Sequence, residues 1–336
     1  MRRLLLTAAT TTAALTLAAC GTTEPAADKT DQADQADKSS AAITLTDGAG
    51  KKVTLDGPAT KVVATEWNVT ESLVTLGVDP VGAADVKGYK TWDSAVPLKN
   101  EPKDIGTRGE PSMDTVAALS PDLVVTTSDL PPAALKQLRK IAPVLEVKSA
   151  DGSDQIGQML TNLDLIAKAT GTTDKAKTAR ANFETKLAEG KRALADADLA
   201  DADLAGAGIA FADGYVTANQ VSVRPYTSGS LIGTVNERLG LKNVWKVKGD
   251  AAYGLGTTDV EGLTDLPKDT QFAYIGNDED EAATPFTGAL AKNAVWKSLP
   301  FVKAGDVHRL ADGIWMFGGP GSMSAYIDSL VDELTK

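Results

Sequence analysis

Residues 174–197, DKAKTARANFETKLAEGKRALADA, read as one uninterrupted helix. Phe183, Leu187 and Leu194 recur at helical spacing, Ala176 and Ala179 extend the stripe, and Gly190 is the one weak point. Thr173 is the expected N-cap, with Asp174 helping at the positive end of the helix dipole. At 1.5 Å per residue the segment spans about 36 Å, roughly the width of a small domain. An α/β pattern of similar size lies on each side of it. The implied arrangement is two lobes joined by one rigid rod, with a cleft between them; the alternative is an ordinary surface helix of a single domain.

Working outward, 43–55 alternates apolar and polar residues around Asp47-Gly48, the pattern of a hairpin. Short strands are expected at 61–65, 80–84, 123–127 and 144–147, with helices at 70–76, 112–119, 132–141 and 154–169 and an irregular stretch at 85–107. After the rod, 196–204 carries Leu199 and Leu204, which with Leu194 fall five apart, a spacing that suits neither helix nor strand, so it reads as a linker. Strands at 209–212, 215–218, 221–223, 271–275 and 307–310 follow, with helices at 230–239 and 322–334. The halves echo one another. Asp114 precedes Leu119 and Asp122 as Glu261 precedes Leu266 and Asp269, and each half has a helix ended by Leu-Gly, at Leu76-Gly77 and Leu239-Gly240. Two related α/β lobes are the natural reading.

The chain has 336 residues, 43% hydrophobic and 24% charged, which is globular. Its net charge is −11, and loss of residues 1–19 with Arg2 and Arg3 takes this to −13. So acidic a surface argues against nucleic acid. The N-terminus, two arginines and then an apolar run ending Leu17-Ala18-Ala19-Cys20, has the form of a lipoprotein signal, with Cys20 as the lipidated residue; 20–42 is a flexible tether without periodicity. No stretch beyond it is apolar enough to span a bilayer.

With one cysteine and one histidine, a zinc, copper or haem site is poorly supplied with ligands. No Walker loop, G-x-G-x-x-G, G-x-S-x-G or H-E-x-x-H occurs. His308, in V-H-R-L, fits a structural or surface position, and the acidic run 278–281 fits a solvated loop. Aromatics are only 5% of the chain, yet several fall in glycine-marked segments: Tyr89 and Trp92 in GYKTW, Tyr226 after Arg224-Pro225, Tyr253 in AAYGLG, Trp315 and Phe317 in GIWMFGGPG. Trp67 stands where the first strand runs into a helix, and Arg108 lies in IGTRGEP. In an open α/β lobe such loops gather beyond the carboxyl ends of strands. Aromatics with one or two guanidinium groups and no nucleophile suit a bulky, carbon-rich ligand bearing anionic oxygens, bound and released unchanged.

KVVATEWNVTESLVTLGVDPVGAAD, GYKTW and IGTRGEPSMDTVAALSPDLVV resemble the N-terminal lobe of the solute-binding proteins that serve ferric-siderophore and cobalamin ABC importers. LIGTVNERLGLKNVW and IWMFGGPGSMSAYIDSLVDEL resemble their C-terminal lobe. The resemblance implies two Rossmann-like α/β lobes, 43–172 and 198–336, joined by a single long α-helix at 173–197, with a ligand cleft between them. It is nearest to ferric-hydroxamate-binding members. By that likeness Arg108 grips the iron-chelating oxygens, Trp92, Trp315 and Phe317 line the ligand, Tyr253 takes the place of a second-lobe tryptophan, and Asp114 (with Glu110 as rival) and Glu261 dock on the permease.

The expected protein is therefore a monomeric, lipid-anchored receptor on the outer face of the cell membrane. It delivers a ferric siderophore, with a trihydroxamate first, to an ABC permease, and is not an enzyme. Iron is held by the siderophore alone, with no cofactor of the protein's own. Cobalamin or haem as ligand, and a secreted enzyme on this scaffold, are the alternatives.

Overall fold

The computed structural model describes residues 42–336 apart from 200, 201, 205, 219, 281 and 282. The signal segment, Cys20 and nearly all of the tether lie outside the described residues, as does Glu281 of the acidic run. The described part of the chain opens on the expected hairpin, β1 (Ile43–Thr46) paired antiparallel with β2 (Lys52–Leu55). Asp47 makes its turn, Oδ1 accepting from the backbone N–H of Ala49 at 3.0 Å and Lys51 at 2.7 Å.

The first lobe follows as β3 (Val62–Ala64), α1 (Trp67–Thr75), β4 (Gly82–Ala83), α2 (Val86–Trp92), β5 (Lys103–Asp104), the small pair β6 (Gly106–Thr107) and β7 (Glu110–Pro111), α3 (Met113–Leu119), β8 (Leu123–Thr127), α4 (Pro132–Leu138) and β9 (Val144–Val147). Its sheet is wholly parallel in the order β5-β4-β3-β8-β9. Every residue of β8 and β9 is buried, as a parallel strand covered on both faces must be. Then come α5 (Gln155–Thr170), α6 (Thr173–Asp196) and two very short strands, β10 (Asp198–Leu199) and β11 (Ala202–Asp203).

The second lobe runs β12 (Gly208–Thr217), β13 (Gln220–Pro225), α7 (Leu231–Arg238), β14 (Lys242–Asn243), a 3₁₀ turn at Glu261–Asp265, β15 (Gln271–Ile275), α8 (Ala294–Ser298), α9 (Pro300–Ala304), β16 (Val307–Leu310) and α10 (Pro320–Leu334). Its parallel order β14-β12-β15-β16 repeats β4-β3-β8-β9 of the first lobe, with β13 added antiparallel on β12. The echo in the sequence is thus an echo in topology. Asp114, in the first turn of α3 ahead of β8, and Glu261, opening the 3₁₀ turn ahead of β15, occupy equivalent places, and both are exposed.

Several expectations need correction. The stretch 85–107 is not irregular throughout: α2 forms there, capped by Asp85, whose Oδ1 accepts from Gly88 N–H at 3.0 Å. Seven residues without an apolar stripe give no periodic signal. The region 196–204 is more than a linker, since β10 pairs antiparallel with β11. The strands expected at 209–212 and 215–218 are one ten-residue strand, β12.

The rod is α6, at 24 residues the longest helix described. Its cap is Thr172 without a side-chain bond, not Thr173. Ala176 belongs to the first lobe's core with Leu163 and Ile166, whereas Phe183, Leu187 and Leu194 belong to the second lobe's core with Ile327 and Leu330. Each of those three large side chains contributes about 1.5–3 kcal/mol by leaving water. The same division runs through α5, which sends Ile156 and Leu160 into the second core and Leu163 and Ile166 into the first. Gly190 is where α6 comes closest to its neighbours, for a Cβ there would lie 2.6 Å from Ile327 Cγ2 and 3.0 Å from Leu239 Cδ2.

Gly190→Ala therefore sets a gain in helix propensity of about 1 kcal/mol against an overpacking cost of about 1–3 kcal/mol, Ile327 being β-branched and stiff. We expect net destabilisation of about 1 kcal/mol, a melting temperature about 2 °C lower. An unchanged or raised melting temperature would show that the helix contact is loose.

Candidate functional site: an aromatic seam between the lobes

Glu66 is the N-cap of α1, its Oε1 accepting from the Trp67 backbone N–H at 3.1 Å. The Trp67 indole N–H donates to the carbonyls of Ala84 and Asp85, each at 3.2 Å. Gly88 packs against its ring edge where a Cβ would collide. Trp67 is thereby held rigid, and Trp315 of the second lobe meets it edge-on at 4.7 Å between centroids. Tyr89 completes this cluster, with Trp92 and Phe317 packed on its margin.

Arg108, in the turn between β6 and β7, lays its guanidinium carbon 4.1 Å from the Trp67 centroid and 5.1 Å from that of Trp315. Its Nη1 donates to Glu66 Oε1 at 2.7 Å, and a third of the side chain stays exposed. The rings continue through the second lobe: Trp315 to Phe317 at 5.2 Å, Phe317 to Tyr253 at 5.6 Å and to Tyr226 at 5.9 Å. Arg224 stands over Phe317 at 5.6 Å and is held by Asp213, Nε to Oδ1 at 2.8 Å with a second contact through Nη2. The seam thus has a guanidinium stacked at each end. The Tyr253 hydroxyl reaches across to the Asp129 carboxylate, just past β8. Behind Tyr253 and Phe317 lies an interlobe cavity of about 40 Å³ with polar Asn68, Ser72, Ser149, Gln158 and Asn162 in its wall. That is room for about one water molecule.

Of the ligand-facing residues expected from sequence, Trp67, Trp92, Arg108, Arg224, Tyr226, Tyr253, Trp315 and Phe317 fall along this one seam. Tyr89 and Tyr226 are only 1% exposed, so they support the seam from beneath. Tyr89 donates to the Val96 carbonyl at 2.6 Å, and the Tyr226 hydroxyl, with one proton to give, lies 3.2 Å from both the Asp213 carboxylate and the Met316 sulfur. Burial raises the pKa of both phenols, so both stay protonated donors. Asp114, Glu110 and Glu261 are exposed. His308 sits on β16 with Nε2 2.7 Å from Gln271 Oε1, burial lowering its pKa, which fits the structural reading. Sequence reasoning missed the carboxylates Glu66, Asp129 and Asp213 that hold the seam's polar groups. Among the described residues, no group of three or more His, Cys, Asp or Glu could hold a metal ion.

A bridged two-lobe α/β frame with an aromatic seam at the junction is the form of a solute-binding protein. The periplasmic binding protein family matches residues 62–312, and the chain belongs to that family. It is 28% identical over 267 residues to the Fe(3+)-citrate-binding protein YfmC of Bacillus subtilis, covering 79% of this chain and 77% of that protein. It is 25% identical over 270 residues to the iron(3+)-hydroxamate-binding protein FhuD of Escherichia coli, covering 80% and 84%. The fold is that of FhuD from Vibrio cholerae, solved with Fe3+-Desferal, at a TM-score of 0.70 with 23% identity over 82% of this chain and 98% of the other.

What fixes the seam in place is a buried carboxylate. Glu71, one helical turn beyond Trp67 on α1, points at the N-terminus of α10. It accepts from the backbone N–H of Gly319 at 2.6 Å and Ser322 at 2.9 Å, and from the Ser322 hydroxyl at 2.9 Å. Glycines make room, for a Cβ at Gly318 would strike the Glu71 carboxylate. Ser322 Oγ also lies 2.9 Å from Oδ1 of buried Asp93. One hydroxyl carries one proton, so only one of these contacts is its donation. The other takes its proton from a carboxyl group. Burial raises the pKa of both acids; the charge of Glu71 pushes Asp93 further up, while bonds from Ser322 and Gly319 draw Glu71 back. Glu71 has backbone donors to support a charge, while Asp93 has only the Ser322 contact, so the proton is assigned to Asp93.

A folded-state pKa raised above the ordinary 3.8 makes this group's contribution to stability complete below that value and lost as pH rises through the folded value. Asp93→Asn is neutral at every pH and keeps a donor for Ser322. In thermal melts the variant should match the wild type near pH 4 and become progressively more stable than it toward pH 7. A parallel pair of pH profiles would show that Asp93 is ionised in the folded protein.

Proposed function

We propose that this chain captures a ferric siderophore outside the cytoplasmic membrane, a trihydroxamate complex first among the candidates, and hands it to an ABC importer. The observation that carries the reading is Arg108, stacked on Trp67 and Trp315 between the lobes. The bond to Glu66 uses Nη1, which leaves Nη2 and Nε to donate to chelating oxygens, with the rings holding the organic body. Iron is coordinated by the siderophore alone. Relatives named for ferric citrate and ferric hydroxamates support this class of cargo. The lobes, 43–172 and 198–336 with the helix at 173–197 between them, part where Tyr253 meets Asp129 to admit a ligand far larger than the present cavity. Cys20 carries the lipid that keeps the monomer at the membrane's outer face, and Asp114 and Glu261, exposed at equivalent places in the two lobes, dock on the permease.

Three of the five tryptophans (Trp67, Trp92 and Trp315) lie at the seam, so intrinsic fluorescence reports on it. Titration with ferrioxamine or ferrichrome should quench it saturably. Arg108→Ala should weaken that binding by about 1.5–3 kcal/mol, roughly 10- to 150-fold; unchanged affinity would remove Arg108 from the site. A double change, Asp114→Arg with Glu261→Arg, should leave the titration as it was and abolish uptake by whole cells. Uptake at the wild-type rate would dismiss these acids as docking residues.

A further inference from the structure

Both guanidinium groups of the seam are already neutralised. Arg108 is bonded to Glu66 at 2.7 Å, and Arg224 to Asp213 at 2.8 Å. A third carboxylate, Asp129, is held by the Tyr253 hydroxyl. Glu66 stands at the Trp67–Trp315 end of the seam, on the guanidinium stacked over both rings. Three carboxylates thus stand against two guanidinium groups, within a chain of net charge −11. The nearby Lys90 is paired with Glu101 at 2.6 Å.

The charge of a ferric chelate follows from its chelating groups. Three hydroxamates, each losing one proton, give a neutral complex with Fe(III). Three catecholates, each losing two, give a trianion. Entering a site whose cations are paired, a trianion must break those pairs or face their carboxylates. A neutral complex does neither, and one bearing a pendant ammonium gains an attraction.

We propose that Glu66 is a specificity-determining residue. Its carboxylate makes the seam select ferric chelates without net negative charge and prefer one carrying a cationic amino group over its neutral counterpart. This rests on the seam being a ferric-chelate site, as proposed above. Glu66 reaches the ligand through space while its Oε1 stays on Arg108 and the Trp67 N–H, and its side chain is 22% exposed.

The test compares ferrioxamine B, which carries a pendant ammonium, with the same chelate acetylated at that amine, and with ferric enterobactin, by fluorescence titration of the full chain. At low ionic strength the wild type should bind the ammonium form about 3–10 times more tightly than the acetylated one, a ratio that shrinks with added salt, and should bind the tris-catecholate least. Glu66→Gln keeps an acceptor for Arg108 and should bring the ratio of the two affinities close to one, whatever it does to the affinity of each chelate separately. An unchanged ratio in Glu66→Gln, or a wild type that favours the tris-catecholate, overturns the proposal and leaves the siderophore reading standing. Failure of the wild type to bind any of the three overturns both.

Discussion

The junction of the two lobes depends on one carboxylate. Glu71 leaves a helix of the first lobe and satisfies backbone N–H groups at the start of the last helix of the second. Those donors have no partner within their own helix, and the carboxylate has no water, so each answers the other's need. The segment so fixed carries Trp315 and Phe317 just ahead of it, and the helix that supplies Glu71 carries Trp67 one turn earlier. A single face of α1 therefore sets both the spacing of the lobes and the placement of the aromatic rings between them. Replacing that acid by an apolar residue would leave several buried donors unpaired, at a cost of about 1–3 kcal/mol each.

The architecture was largely legible in the sequence because its signals are local. A 24-residue helix with a recurring apolar face, valine-rich strands at β3 and β8, and helices capped by Asp154 and Ser230 all announce themselves within a few residues. The echo of Asp114 and Glu261 predicted two related lobes, and their strand orders do match. What failed was equally local in cause. Helix α2 is too short for a stripe and rests on Asp85 and on the fit of Gly88 to Trp67, which is a tertiary matter. Gly190, the weak point by propensity, is a point of close approach to α10 and α7 that no single-chain pattern reveals.

The site was legible by type and not by partnership. Aromatic residues are scarce enough here that their gathering in glycine-marked loops stands out. Arg108 stands out among glycines too. Its partner Glu66 is 42 residues away, and Asp129 is 124 residues from Tyr253. Among 45 acidic residues nothing marks these as the ones that face a guanidinium or a phenol. Glu71 offered one hint, an acid set between Val69 and Leu73-Val74 in a helix that is buried for most of its length, which is costly unless something across an interface repays the desolvation.

Gln155 gives the last consequence. Its side-chain amide donates to the carbonyls of Gly229 and Ala252, both at 2.7 Å, from the start of a helix whose own length is shared between the two cores. A frame braced at that corner, along α6 and again at Glu71 confines any parting of the lobes to the side where Tyr253 meets Asp129. The braced side then keeps the same silhouette whether that contact is open or shut. Any partner that must tell an occupied junction from an empty one has to read the rim around Tyr253, because the far side of the frame gives no sign of it.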